Sequence, residues 1–167
     1  MSKQFWIFLL AGAATVGILL FLLLAGTKSA HLRLEGKILK VRVLALPGNA
    51  ASLVVLDFRV TNPSDVPFVV STVEIHMQPP QGEGVDGITI SKPDMAAVFQ
   101  YEKLLGPQYN DVLSVQDRIN PHQSFDRMAG ARINLPESAV QSRRNLTLTI
   151  EDVDGASSTL AEGPNSK

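Results

Sequence analysis

The hydrophobic pattern divides the chain in two. Phe5 to Ala25 is an unbroken run of 21 residues without a charge, in which Thr15 is the one polar side chain. At ~1.5 Å per residue, a helix of that length spans ~31 Å, which matches a hydrocarbon core of about 30 Å. A helix also satisfies its own backbone hydrogen bonds, which lipid cannot do. The run predicts a transmembrane helix over 5–26, after a tail of residues 1–4 and before a linker of residues 27–30. Lys3 and Lys28 flank it, and Phe5 and Trp6 stand where aromatic rings favour the interface. A cleaved signal peptide is the competing reading. Its apolar region is usually about 7–15 residues long, shorter than this one. Leu23 before Ala25 and Lys28 before Ala30 also make poor small-x-small cleavage sites.

After residue 30 the period becomes two, and turn residues separate the runs. Leu32 and Leu34 alternate, Gly36 interrupts, and Leu39, Val41 and Val43 resume on shifted parity. This predicts a strand with a bulge or bend at Gly36. A turn follows at Pro47-Gly48-Asn49. The second strand has Val54, Leu56, Phe58 and Val60 on its inward face and ends at Thr61-Asn62-Pro63-Ser64-Asp65. A third runs from Phe68 to Met77, with Val73, Ile75 and Met77 on one face. Pro79 to Gly84 reads as a loop, and Ile88 and Ile90 mark a short strand. Ser91-Lys92-Pro93-Asp94 starts a helix near 94–105, which Gly106 stops. Strands return at 112–115, 124–134 and 145–150, and Asp152 to Gly155 turns into a last strand around 158–160. Short strands at this spacing, apolar on one face, predict an antiparallel sandwich. The expected fold is therefore an N-terminal transmembrane helix followed by an all-β Ig-like sandwich over 31–160 with one short helical insert. Residues 161–167 read as a flexible, polar tail.

Composition sharpens this picture. Hydrophobic residues make up 45% of the 167 and charged residues 19%, with the apolar excess concentrated near the N-terminus. All 16 acidic residues and 14 of the 15 Lys and Arg follow residue 26, so that part is two charges negative. This argues against nucleic acid, which demands a basic surface. No cysteine is present, which removes disulfides, thiolate metal sites, cysteine nucleophiles and cysteine acylation.

Orientation rests on opposing signals. A short cytoplasmic tail with an exported domain is the usual arrangement. However, Lys28, Arg33, Lys37, Lys40 and Arg42 outnumber Lys3, and the positive-inside rule read literally points the other way. Most of those residues belong to a strand, and the N-terminal amine adds a charge to the short side. The expectation is a bacterial inner-membrane protein with its C-terminal domain in the periplasm. Lys40 and Arg42 lie opposite Leu39, Val41 and Val43 in parity and read as a solvated strand face. The basic group as a whole could also meet anionic headgroups. In the helix, Ala13 and Gly17 form a small-xxx-small pair suited to close helix approach, although small residues are common in membrane helices.

The segment Phe58-Arg59-Val60-Thr61-Asn62-Pro63-Ser64 resembles the late-embryogenesis-abundant-like, or water-stress-and-hypersensitive-response, β-sandwich domains. In these a strand ends in Asn-Pro and the next begins after a short apolar loop, here Val66-Pro67-Phe68. The likeness covers about residues 31–80 and leaves out the helical insert. It implies an Ig-like sandwich with a binding or protective role, and it transfers no catalytic residue.

The chemistry-bearing residues form no recognised motif. His31, His76 and His122, with Met77, Met95 and Met128, are ligand types that suit copper, but their spacing is not that of a known site. Along a strand His76 points opposite to Met77. Asp152-Val153-Asp154-Gly155 resembles the start of a calcium loop without the later glutamate, and Asp-Gly between two strands is first a hairpin turn. Asn145-Leu146-Thr147 matches a glycosylation sequon inside a strand. Neither a nucleophile elbow nor a phosphate loop nor a His-Glu-x-x-His helix occurs in the sequence. No catalytic, cofactor or metal residue is assigned. The expected function is non-enzymatic: an accessory or scaffold subunit of a membrane complex, with a membrane-protein partner. The alternative is a ligand-, lipid- or metal-binding domain, stress-protective or copper-handling. The loop Gln78–Gly87 and the helix after it are the expected binding region.

Overall fold

A computed structural model describes residues 12, 14–19 and 33–163. The chain forms two compact units, Met1–His31 and Leu32–Lys167. In the first, the described residues are helical. The Thr15 hydroxyl donates to the Gly12 carbonyl at 2.9 Å, a common way for a helical threonine to use its oxygen. No helix among the described residues is long and apolar enough to cross a membrane. Most of the span expected over 5–26 lies outside the described residues. So does Ala13, while Gly17 is helical.

The second unit is an antiparallel β-sandwich. One sheet has the order β1 (Glu35–Ala45), β2 (Ser52–Thr61), β7 (Ser124–Ile133), β5 (Ile88–Thr89). The other runs β4 (Val85–Asp86), β3 (Phe68–Gln78), β8 (Asn145–Asp152), β9 (Ser157–Ala161), and β6 (Arg118–Ile119) also pairs with β3. Val54, Leu56, Phe58 and Val60 of β2 face Val73, Ile75 and Met77 of β3 and Leu146, Leu148 and Ile150 of β8 in one core. Period-two alternation builds this core, because alternate side chains of a strand point to the same face. The turns follow their residue types. Gly48 and Asn49 take positive φ between β1 and β2, and Gly155 takes φ +84° between β8 and β9.

Four expectations need correction. The bulge in β1 lies between Ile38 and Lys40, not at Gly36, which pairs regularly with Val60. The extra residue there is Leu39, and it moves the inward face from Leu34 and Ile38 to Val41 and Val43. Gly36 has another cause: a Cβ at this position would sit 2.1 Å from the Arg59 carbonyl oxygen, so the two backbones approach where no side chain fits. The strand expected at 112–115 is a single parallel bridge from Val112 to Met128, and pairing with β3 comes later, at β6. A helix at Glu137–Gln141 was not anticipated, since five residues carry no readable helical period. Finally, residues 161 and 162 are not part of a flexible tail. Ala161 ends β9, and the Glu162 carboxylate pairs with the Arg143 guanidinium, both side chains being buried.

On the exposed face of the first sheet, Arg59 on β2 grips Asp126 on β7 with two bonds of 2.7 and 2.9 Å. The Arg59 hydrogen bond holds the Asp126 carboxyl below the usual aspartate range. A carboxyl whose pKa is lower in the folded chain adds stability above its unfolded pKa, and that contribution is lost as pH falls through the folded value. Asp126 is therefore expected to titrate at lower pH in the wild type than in Arg59→Gln, as followed by carboxyl carbon NMR. Equal midpoints would show that the pair does not hold in solution.

Candidate functional site: a pinned insert and the cleft beside it

Strand β2 is buried on both faces for most of its length. The inner face belongs to the sandwich core. The outer face carries Leu53 and Val55, which pack with Met128 of β7 against Met95, Leu105 and Val112. These last three come from the segment between β5 and β7. That segment holds the helix Lys92–Tyr101 and a 3-10 turn at Lys103–Leu105. The Ser91 side chain caps the helix by accepting from the Asp94 amide, and proline follows in the first turn. The insert therefore forms a third layer over the first sheet.

A buried ion pair fastens this layer. Arg42 on β1 is 8% exposed, not on a solvated strand face as its parity suggested. Its guanidinium donates to Asp57 Oδ2 at 2.7 Å and to the carbonyls of Leu105 and Pro107 at 3.0 Å each. The side-chain amide of Asn110 donates to the other Asp57 oxygen at 2.9 Å. The guanidinium also lies over the Phe99 ring, 4.9 Å from its centroid. Two strands and the C-terminal side of the insert thus meet at one charge pair. Above it, Leu104 is 86% exposed, Tyr101 74% and Tyr109 62%, and Lys40 lies over the Tyr109 ring. Large apolar side chains this exposed, on a segment held this firmly, form a candidate contact surface.

The second feature lies on the side of the sandwich bounded by the outer edges of β7 and β3. Two segments cross there from sheet to sheet. In the first, the Ile90 amide donates to Gly130 of β7 and the Gly87 amide to Ile75 of β3, each at 2.8 Å. In the second, the Leu113 amide donates to Met128 of β7 and the Gln116 amide to Val70 of β3, again at 2.8 Å. Between the crossings, β3 has no partner strand on this edge among the described residues. The result is a cleft of about 670 Å³ walled by Val73, Ile90, Leu113 and Val115.

The residues singled out for chemistry stay apart. His76 is exposed and bonds Asp86 at 2.7 Å, while Met77 is fully buried in the sandwich core. His122 bonds Asp65 at 2.9 Å, and Met95 of the insert packs with Met128 of β7. His31 lies outside the described residues. Among the described residues no three His, Cys, Asp or Glu side chains gather as a metal site would require. The Asp152 carboxylate is already used. It accepts from the Val69 amide at 2.5 Å and the Asp154 amide at 3.1 Å, so it ties the start of β3 to the β8–β9 turn. Asn62, within the segment that resembles the late-embryogenesis-abundant-like domains, is fully buried. It donates to the carbonyls of Val66 and Ile119 and accepts from the Ser64 amide. The Asn-Pro-Ser turn is therefore a structural clamp between β2 and β3. The loop expected to bind, Gln78–Gly87, forms β4 and the first crossing.

No family model matches the chain. No curated protein matches it either. Among solved structures it is similar to an uncharacterized beta-sandwich protein from Clostridium difficile 630, at 13% identity and a TM-score of 0.38. That similarity covers 78% of this chain and 86% of the other.

Proposed function

We propose that the protein is a non-enzymatic, membrane-anchored accessory subunit. In this reading its Ig-like sandwich presents the insert to a membrane-proximal protein partner from the periplasmic side of a bacterial inner membrane. The observation that carries the reading is the insert fastened at Arg42 and Asp57 with Tyr101, Leu104 and Tyr109 exposed on it. Tyrosine is favoured at the centres of protein interfaces because it buries much apolar area at little entropic cost, and Leu104 adds apolar area beside the two tyrosines. The apolar run over residues 5–25 supports the anchor. From Gly26 to Glu35 the chain reaches at most about 30 Å, which confines the domain to partners close to the bilayer.

The test is mild-detergent purification of the full-length protein from its own membrane, with mass spectrometry of what accompanies it. A stoichiometric partner is expected with the wild type and with Val153→Glu, an exposed control on the β8–β9 turn. It is expected to be lost with Leu104→Glu. A partner retained by Leu104→Glu would assign the interface elsewhere, and a wild-type protein that purifies alone would overturn the reading.

A further inference from the structure

We propose that the partner of the insert anchors itself in an apolar groove beside the helix Lys92–Tyr101, through a segment that carries a large apolar side chain next to a carboxylate. The inference rests on the reading of the insert as a protein contact and names what the partner must present. The groove has a volume of about 380 Å³ and is walled by Leu46, Leu53, Ile88, Ile90 and Val98. Ile88 is 60% exposed. Leu46, Ile90 and Val98 are half-buried, so each keeps apolar area that the fold itself does not cover. Recessed apolar area of this kind receives the anchor side chains that carry most of an interface's binding energy.

Two observations name the occupant. The first is continuity with the exposed face. Asp94, Val98 and Tyr101 are spaced four and three residues apart, which puts them on one side of the helix. The groove wall therefore runs on into Tyr101, and a protein that covers Tyr101 reaches the groove without a gap. The second is charge. Arg132 of β7 lines the groove and lies directly across from Leu53 of β2 and Ile88 of β5, so its side chain stands between two aliphatic ones on the outer face of the sheet. It is exposed and has no ion-pair partner among the described residues. Asp94 also lines the groove, but its carboxylate is already engaged. It accepts from the Ser91 hydroxyl at 2.6 Å in the first turn of the helix, where the backbone amides favour its charge. The charge that the groove leaves open is thus positive, and an apolar side chain with a neighbouring carboxylate complements it. A neutral apolar occupant would leave the guanidinium unpaired.

The test places a photo-reactive side chain at the groove and, separately, on the face. Ile88→p-benzoylphenylalanine and Tyr101→p-benzoylphenylalanine are irradiated as full-length protein in its own membrane, and the captured peptides are mapped by mass spectrometry. Both are expected to capture the same protein, and the peptide captured from Ile88 should carry an acidic residue or a C-terminal carboxylate beside an apolar one. Arg132→Glu should lower recovery of that protein about ten-fold, through the loss of one charge-assisted bond and a new like-charge repulsion. Replacing the mapped carboxylate residue of the partner with lysine should restore it, which a merely structural role of Arg132 would not allow. Arg144→Glu, the same charge change at an exposed position outside the groove, should leave recovery unchanged. Capture from Tyr101 but not from Ile88, recovery that Arg132→Glu does not change, or a loss that the partner's lysine does not restore would overturn the proposal and leave the insert face in place. Capture of lipid alone from Ile88 would overturn the protein occupant. Capture of no protein from either position would overturn the proposal together with the reading it rests on.

Discussion

Replacing Arg42 with alanine is expected to destabilise the sandwich by about 3–5 kcal/mol, because it strands a buried carboxylate. Asp57 would keep the amide of Asn110 and lose its cationic partner Arg42. The carbonyls of Leu105 and Pro107 would lose their donor as well, and with it the link from β1 to the insert. Urea unfolding of the variant and the wild type measures the difference. The double variant Arg42→Met, Asp57→Leu separates the two parts of the effect. With both charges gone, the desolvation penalty disappears, and much of the loss should return. The insert would still lack its carbonyl donors, so its amides should exchange faster than in the wild type. A cost for Arg42→Ala below about 1 kcal/mol, the value of an exposed pair, would mean that water reaches this site in solution.

Phe58→Ala is expected to cost about 3–5 kcal/mol, since it truncates one of the two fully buried phenylalanines of the core between the sheets. Leu53→Ala, on the same strand with its side chain on the opposite face, should cost about 2–5 kcal/mol. The two differ in where the damage appears. Phe58 packs among residues of both sheets, so its loss should lower hydrogen-exchange protection across β2, β3 and β8 together. Leu53 packs under the insert with Met95 and Leu105. Its loss should free the amides of Met95 and Glu102, which bond Ser91 and Val98 within the helix, before those of β8. If Leu53→Ala exposed β8 and the helix amides equally, the insert would be part of one cooperative unit with the sandwich.

The sequence by itself determined the sandwich, because the period of two is a local property. Val54 to Val60, Val73 to Met77 and Leu146 to Ile150 each place apolar side chains on one face whatever they pack against, and the structure joins those faces in one core. The turns were equally legible, since Gly48, Asn49 and Gly155 supply the positive φ that few other residues tolerate. The outer layer left a weaker signal. Leu53, Val54, Val55 and Leu56 form a run apolar on both parities, which is what a strand covered on both faces requires.

Only the tertiary structure decided what lies over that second face. Arg42 alternates like a solvated residue, and its burial depends on Asp57 and on the segment with Leu105, Pro107 and Asn110 arriving from two other places in the chain. The cleft depends on two crossings about 25 residues apart that bond the same two edges. Arg132 is one exposed arginine among several until β2 and β5 set Leu53 and Ile88 on either side of it. Alternation fixes the direction of a side chain relative to its own strand, whereas burial and partnership arise from segments distant in sequence, which no local pattern records.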